Sequence, residues 1–274
     1  MTAAIAAILA VAAAVLAGLL LPPLLRDRRR RAALARSLPD NLRAVIAAAV
    51  PITRSMPEPE RARLEGLVLA FLQEKRFVGC NGLEVTGRIR ATIAAQACLL
   101  LLGRPGRLYD ELQSILVYPG AFWVEDEVHD EDGLVTRRRR ELSGEAWDAH
   151  RIILSWEDIE ETAARPASGY NVVVHEFAHY LEAEGLGLSS HAAVRTLAAW
   201  QAELQREFEG HRSAVDRGEE TWLDPYGAED ATEFFAVVTE EFLGCPADLR
   251  EAHPALYSLM QDFYGIDPAA WEPA

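Results

Sequence analysis

The chain has 274 residues, of which 50% are hydrophobic and 25% charged, and its formal net charge is −15. That size accommodates one large domain or two small ones, and the composition excludes a disordered chain, a collagen-like repeat and a disulfide-stapled mini-protein. The acidic balance argues against the basic face that phosphate binding requires, so no nucleic-acid partner is expected.

The first segment, Met1 to Leu25, carries no charged side chain. As a helix, Thr2 to Leu25 would be about 36 Å long, enough to cross a bilayer with some tilt. Arg26, Arg28, Arg29, Arg30 and Arg31 follow it. Flanking cations stay on the cytoplasmic side, so the reading is a single-pass anchor over 1–25, with residues 2–25 in the lipid bilayer. A basic juxtamembrane linker over 26–36 then leads to a body held at the inner face of the cytoplasmic membrane. A cleaved secretory signal would need its cations ahead of the apolar run, where there are none. That rival would place the body in the periplasm. Cys80, Cys98 and Cys245 are widely spaced and odd in number, as for reduced thiols, and Cys98 falls in an apolar helical run.

Residues 37–110 read as a helical N-terminal subdomain. Leu64, Leu67, Val68 and Phe71 recur at helical spacing, Ile89 to Leu102 forms a second apolar stretch, and Gly79, Asn81 and Gly82 mark a turn between them. Residues 111–274 read as a second, catalytic domain. Ser114 to Tyr118 has the composition of a strand stopped by Pro119-Gly120, and Arg151 to Trp156 that of another. Between them lie an acidic stretch that includes Glu125, Asp126 and Glu127, and four consecutive arginines, Arg137 to Arg140. Four adjacent charges do not fit a sheet centre, so Val135 to Glu141 is expected at an edge, as protection against aggregation or as a cationic rim for substrate. Candidate helices follow at 169–184, 191–216, 229–243 and 247–263. The class is α+β.

His175-Glu176-Phe177-Ala178-His179 is an H-E-x-x-H motif. Residues four apart share a helix face, so both imidazoles can reach one metal ion, and Glu176 beside them can accept a proton from an attacking water. Histidine nitrogens suit zinc, one ion per chain, with three protein ligands and one open position. Apolar flanks, Val172 to Val174 before the motif and Tyr180 and Leu181 after it, fit a buried metal helix. A third ligand is needed. Six residues after His179 stands Gly185, and the spacing of His191 matches no recognised pattern. Glu233 opens Glu-Phe-Phe-Ala, with small Ala236 one turn on for close helix approach; Asp224, in a turn before it, is the rival. Glu240, seven residues after Glu233, is either a partner that orients a histidine or a solvated glutamate. Tyr226 is either a hydrogen-bond donor to an oxyanion or a packing residue beside the turn.

Further segments add to these. Glu74-Lys75-Arg76-Phe77 precedes Gly82-Leu83-Glu84-Val85-Thr86; Ile93 to Leu99, Val117-Tyr118-Pro119, Ser143-Gly144-x-x-Trp147 and Asp224-x-Tyr226 before Glu233-x-Phe235-Ala236 follow in order. With these the chain resembles the Mlc titration factor A family, the glucose-regulated zinc metallopeptidases, over roughly residues 58–265. The resemblance implies a zincin-like core with His175, His179 and Glu233 on zinc and Glu176 as catalytic base. It also implies peptidase activity on peptide or protein substrates, mainly aminopeptidase action. A member of the family captures the glucose repressor Mlc, which makes a transcriptional regulator the alternative partner. In one member a histidine after a Gly-Leu-Val step is a further metal ligand. Here Gly133-Leu134-Val135 is followed by Thr136, so that contact does not carry over.

The expected function is therefore a membrane-anchored zinc peptidase, with Tyr226 steadying the oxyanion and the 135–141 edge pairing with an extended peptide. The alternative is a binding module that sequesters a regulator with little turnover.

Overall fold

The computed structural model describes residues 2–104, 108–129, 135–142, 144–148, 150–164, 169–183 and 196–271, and between 122 and 148 it describes backbone only. Helix α1 (Thr2–Leu34) runs unbroken from the apolar segment through the arginines. The stretch 26–34, expected as a linker, is thus helix, and its last turns dock onto α3 (Glu58–Glu74), which follows α2 (Asp40–Ala49). Ala33 is buried, and Gly66 of α3 lies where a Cβ would come within 2.7 Å of the Leu34 carbonyl oxygen. Arg26 and Arg30, one turn apart, reach the same acids: Arg30 donates from Nε and Nη2 to the two oxygens of Glu74 at 2.9 and 2.8 Å, and Arg26 donates to Glu74 and Asp110 at 3.0 and 2.9 Å. Among the described residues no helix is long and apolar enough to cross a membrane. The side chains of residues 1–8, 10, 13 and 14 lie outside the described residues.

A four-stranded sheet has the order β1-β2-β6-β5. Strands β1 (Arg76–Gly79), β2 (Ser114–Tyr118) and β6 (Arg151–Ser155) are parallel, and β5 (Gly144–Asp148) closes one edge antiparallel to β6. Ile115, Val117, Ile152, Ile153 and Leu154 are buried, as expected of strands covered on both faces. β1 lies inside the 37–110 segment read as helical, between α3 and α4 (Gly87–Leu99), and pairs with β2, while α5 (Trp156–Ala164) follows β6. One contiguous core runs from Ala33 to Trp271.

The middle of the chain differs from expectation in one further respect. Strands β3 (Phe122–His129) and β4 (Val135–Leu142) form a separate two-stranded hairpin. Its register sets Glu125, Asp126 and Glu127 opposite Arg139, Arg138 and Arg137, so the acidic and basic runs are cross-strand partners. The arginine run therefore lies in this hairpin, and the sheet edge beside the metal helix belongs to β5, which packs against α6 (Val172–Ala183). The arginine side chains lie outside the described residues.

Helices α6, α7 (Leu197–Asp216) and α8 (Ala231–Gly244) match three of the four expected helices. The fourth is split into α9 (Pro246–Ala252) and α10 (Pro254–Tyr264), because Pro254 disfavours helical backbone at His253. Trp200 of α7 stacks on Phe263 of α10 at 5.4 Å, and Phe235 of α8 meets Phe263 edge-on at 5.1 Å. These aromatic contacts fix the helical layer that carries the site. Cys98 is fully buried, as expected, and burial pushes its thiol pKa up.

Candidate metal centre

Helix α6 is preceded by Asn171, whose side-chain oxygen accepts the Val174 N–H at 3.1 Å. Such a cap satisfies an amide that the first turn leaves without an intrahelical partner. Val172, Val173, Phe177, Ala178 and Leu181 are buried, and Phe177 packs edge-on against Tyr109 at 4.7 Å. This locks the rotation of α6 and turns His175 and His179 toward α8. Helix α8 is capped by Asp230, which accepts the N–H groups of Thr232 and Glu233 at 2.8 and 2.9 Å. Glu233 thus projects from the first turn of α8, while fully buried Ala236 occupies the next turn, as the small residue was expected to.

Among the described residues, His175, His179 and Glu233 form one group able to hold a metal ion. His175 Nε2 is 3.0 Å from His179 Nε2 and 3.0 Å from Glu233 Oε2, and His179 Nε2 is 3.4 Å from the same oxygen. Three ligands of a tetrahedral zinc at bond lengths of about 2.05 Å would stand about 3.3 Å apart, so the triangle fits. Two imidazole nitrogens and a carboxylate oxygen are the donors of such a site, and a cation between them relieves the facing of the two nitrogens.

The histidines are held from behind. His175 Nδ1 lies 2.7 Å from Glu240 Oε1, and the other oxygen of Glu240 accepts the Asn171 N–H. Glu240 is 5% exposed, which removes the solvated reading and makes it the group that orients His175 with Nε2 facing inward. Burial disfavours the His175 imidazolium, but Glu233 and Glu240 outweigh it and raise its pKa to about 10. For Glu233 burial opposes ionisation, yet His175 and His179 hold its carboxyl well below the usual range. The Glu240 carboxyl is pushed up by burial.

Glu176 is buried directly beside the ligands. Tyr226 is half exposed, its ring 6.0 Å from that of His175, and burial followed by the nearby Glu233 charge pushes its phenol pKa well above normal. Asp224 has the capping role: its Oδ1 accepts the Tyr226 N–H at 2.8 Å, and it is not a member of the metal-holding group. His191 lies outside the described residues, as do Gly133 and Leu134. Two neighbours escaped the sequence reading. Asn171 was legible as an Asn immediately before an apolar helix. Glu182 sits one turn beyond His179, with its carboxyl pKa raised by burial, and had no signal apart from that spacing.

A profile of the glucose-regulated metallo-peptidase M90 family matches residues 24–265. The chain belongs to this family. Over 247 residues it is 35% identical to an uncharacterized protein, slr2042, of Synechocystis, covering 88% of this chain and 90% of that one. It is 35% identical over 230 residues to Mlc titration factor A of Escherichia fergusonii, covering 81% of this chain and 85% of the relative. The Klebsiella pneumoniae protein of the same name is 35% identical over 227 residues, with the same coverage. Membership supports a metallopeptidase-like hydrolase with an α+β architecture, in agreement with the His-His-Glu group.

Proposed function

We propose that the protein is a zinc-dependent peptidase with aminopeptidase-like action, anchored at the inner face of the cytoplasmic membrane. The observation that carries the catalytic part is the triangle of His175, His179 and Glu233 ligand atoms at 3.0–3.4 Å. A zinc ion bound there would supply an activated water and polarise the scissile carbonyl. Glu176 takes the proton of the attacking water and returns it to the leaving amine. Tyr226 donates its hydroxyl to the developing oxyanion. Glu240 holds the His175 ring in the orientation that presents Nε2. An extended peptide adds to the β5 edge beside α6, which replaces the 135–141 strand as the pairing edge.

The anchor reading is supported by the uncharged run to Leu25 and by Val15, Leu16, Leu19 and Leu20, which are 51–68% exposed on α1. Apolar side chains on all sides of a helix suit lipid. The test of the peptidase reading is cleavage of short peptides with free and with blocked N-termini. Turnover that is lost on chelation, restored by zinc and confined to free N-termini supports it; turnover indifferent to chelation sinks it. The name Mlc titration factor A, borne by relatives, favours a second reading, capture of a transcriptional regulator of that kind. Full biological complementation by Glu176→Gln would favour capture over catalysis.

A further inference from the structure

At the junction of α1 with the body lies an open crevice of about 760 Å³. One wall is apolar: Ala17, Leu21, Pro22 and Leu25 of α1. The charged lining consists of Arg26, Arg29, Arg30 and Lys75 against Glu74 and Asp110, four cations to two acids. Arg26 and Arg30 are committed to the two acids, as described above. Lys75 is buried and gives its Nζ protons to the carbonyls of Tyr109 and Leu112, with burial lowering its pKa to about 8. Arg29 is exposed and makes no ion pair among the described residues.

The crevice is therefore apolar toward the N-terminal part of α1 and net positive where the uncharged run ends. A bilayer has the same order, hydrocarbon first and phosphate next. We propose that this crevice is the headgroup site of one anionic phospholipid, its acyl chains along Leu21 and Leu25 and its phosphate on Arg29. The proposal rests on the anchor reading, because a soluble α1 would place no phosphate there. It gives the exposed Arg29 guanidinium a partner of the right charge. The lipid becomes the third member of a rigid joint: α1 is already bound to α3 through Arg30 and Glu74 and by the Gly66–Leu34 approach, so a headgroup in the crevice fixes how the body meets the membrane.

The test uses the full chain in detergent, freed of lipid and titrated with dioleoylphosphatidylglycerol or dioleoylphosphatidylcholine, with bound lipid counted by native mass spectrometry. The expected result is one phosphatidylglycerol per chain, bound at several-fold lower concentration than phosphatidylcholine. Arg29→Gln should reduce that preference about fivefold, the worth of one arginine at an anionic lipid surface. Arg31→Gln, outside the crevice, should leave it within twofold. Equal retention of both lipids, or an equal loss in both variants, overturns the site. The anchor is read separately, as flotation of the full chain with phosphatidylcholine vesicles after an alkaline wash. Flotation without headgroup preference refutes the crevice alone, whereas failure to float refutes the anchor and the bilayer setting of the site together.

Discussion

Replacing Glu240 by glutamine tests whether the metal site depends on the group behind His175. Glu240 faces two donors, the His175 Nδ1–H at 2.7 Å and the Asn171 backbone N–H, and it is buried. A carboxylate accepts from both. A glutamine of the same shape accepts from one and turns its own N–H groups on the other. A buried donor left without an acceptor costs about 1–3 kcal/mol. Part of that falls on the orientation of His175, and loss of such a partner typically weakens metal binding about 10–100-fold, or about 1.4–2.7 kcal/mol. The assay is zinc competition against a chromogenic chelator at fixed pH, with thermal unfolding of the metal-free protein measured beside it. The expected outcome is a fall in zinc affinity of at least tenfold, beyond any change in metal-free stability. Zinc affinity within twofold of wild type would show that Glu240 does not orient His175 for the metal.

Three further outcomes follow from the same structure. Tyr226→Phe should lower kcat by about 100-fold with little change in KM, because an oxyanion donor acts in the transition state; steady-state kinetics on a short peptide decides it. The Glu241 carboxyl is raised to about 7, first by burial and then by its Glu240 neighbour. Its folded pKa exceeds the unfolded one, so its burden on stability is absent below about pH 4.5 and fully present above about pH 7. Glu241→Gln should flatten the fall in stability across that window, as read from denaturant midpoints at several pH values. Gly66→Ala would place a Cβ within 2.7 Å of the Leu34 carbonyl oxygen, and such overpacking costs about 1–3 kcal/mol. Amide exchange at 33–38 should rise if α1 is displaced.

The metal helix was legible because two histidines four apart with apolar flanks leave few alternatives to a shared ligand face. Glu233 was legible from the Glu-x-x-Ala spacing, but the choice between it and Asp224 needed three-dimensional capping: Asp224 spends its carboxylate on the Tyr226 amide. Glu240 was ambiguous in sequence because burial, which separates an orienting carboxylate from a solvated one, is a tertiary property. β1 escaped notice because four residues between two long helices carry too little periodicity to register. The ordering of 26–34 escaped for a different reason. A polar, arginine-rich stretch looks like a linker until Glu74 and Asp110, far along the chain, neutralise it. The hairpin was only half legible: the arginine run was expected in an edge strand, but its register against the acidic run joins positions that the sequence alone does not pair.

In the proposed mechanism His175, His179 and Glu233 hold a zinc ion beside which Glu176 moves the proton. Metal content and peptide turnover measured together for wild type and Glu176→Gln test it most directly. One zinc per chain is expected in both proteins, with turnover lost in the variant. A variant that hydrolyses peptide at the wild-type rate with zinc still bound would contradict it.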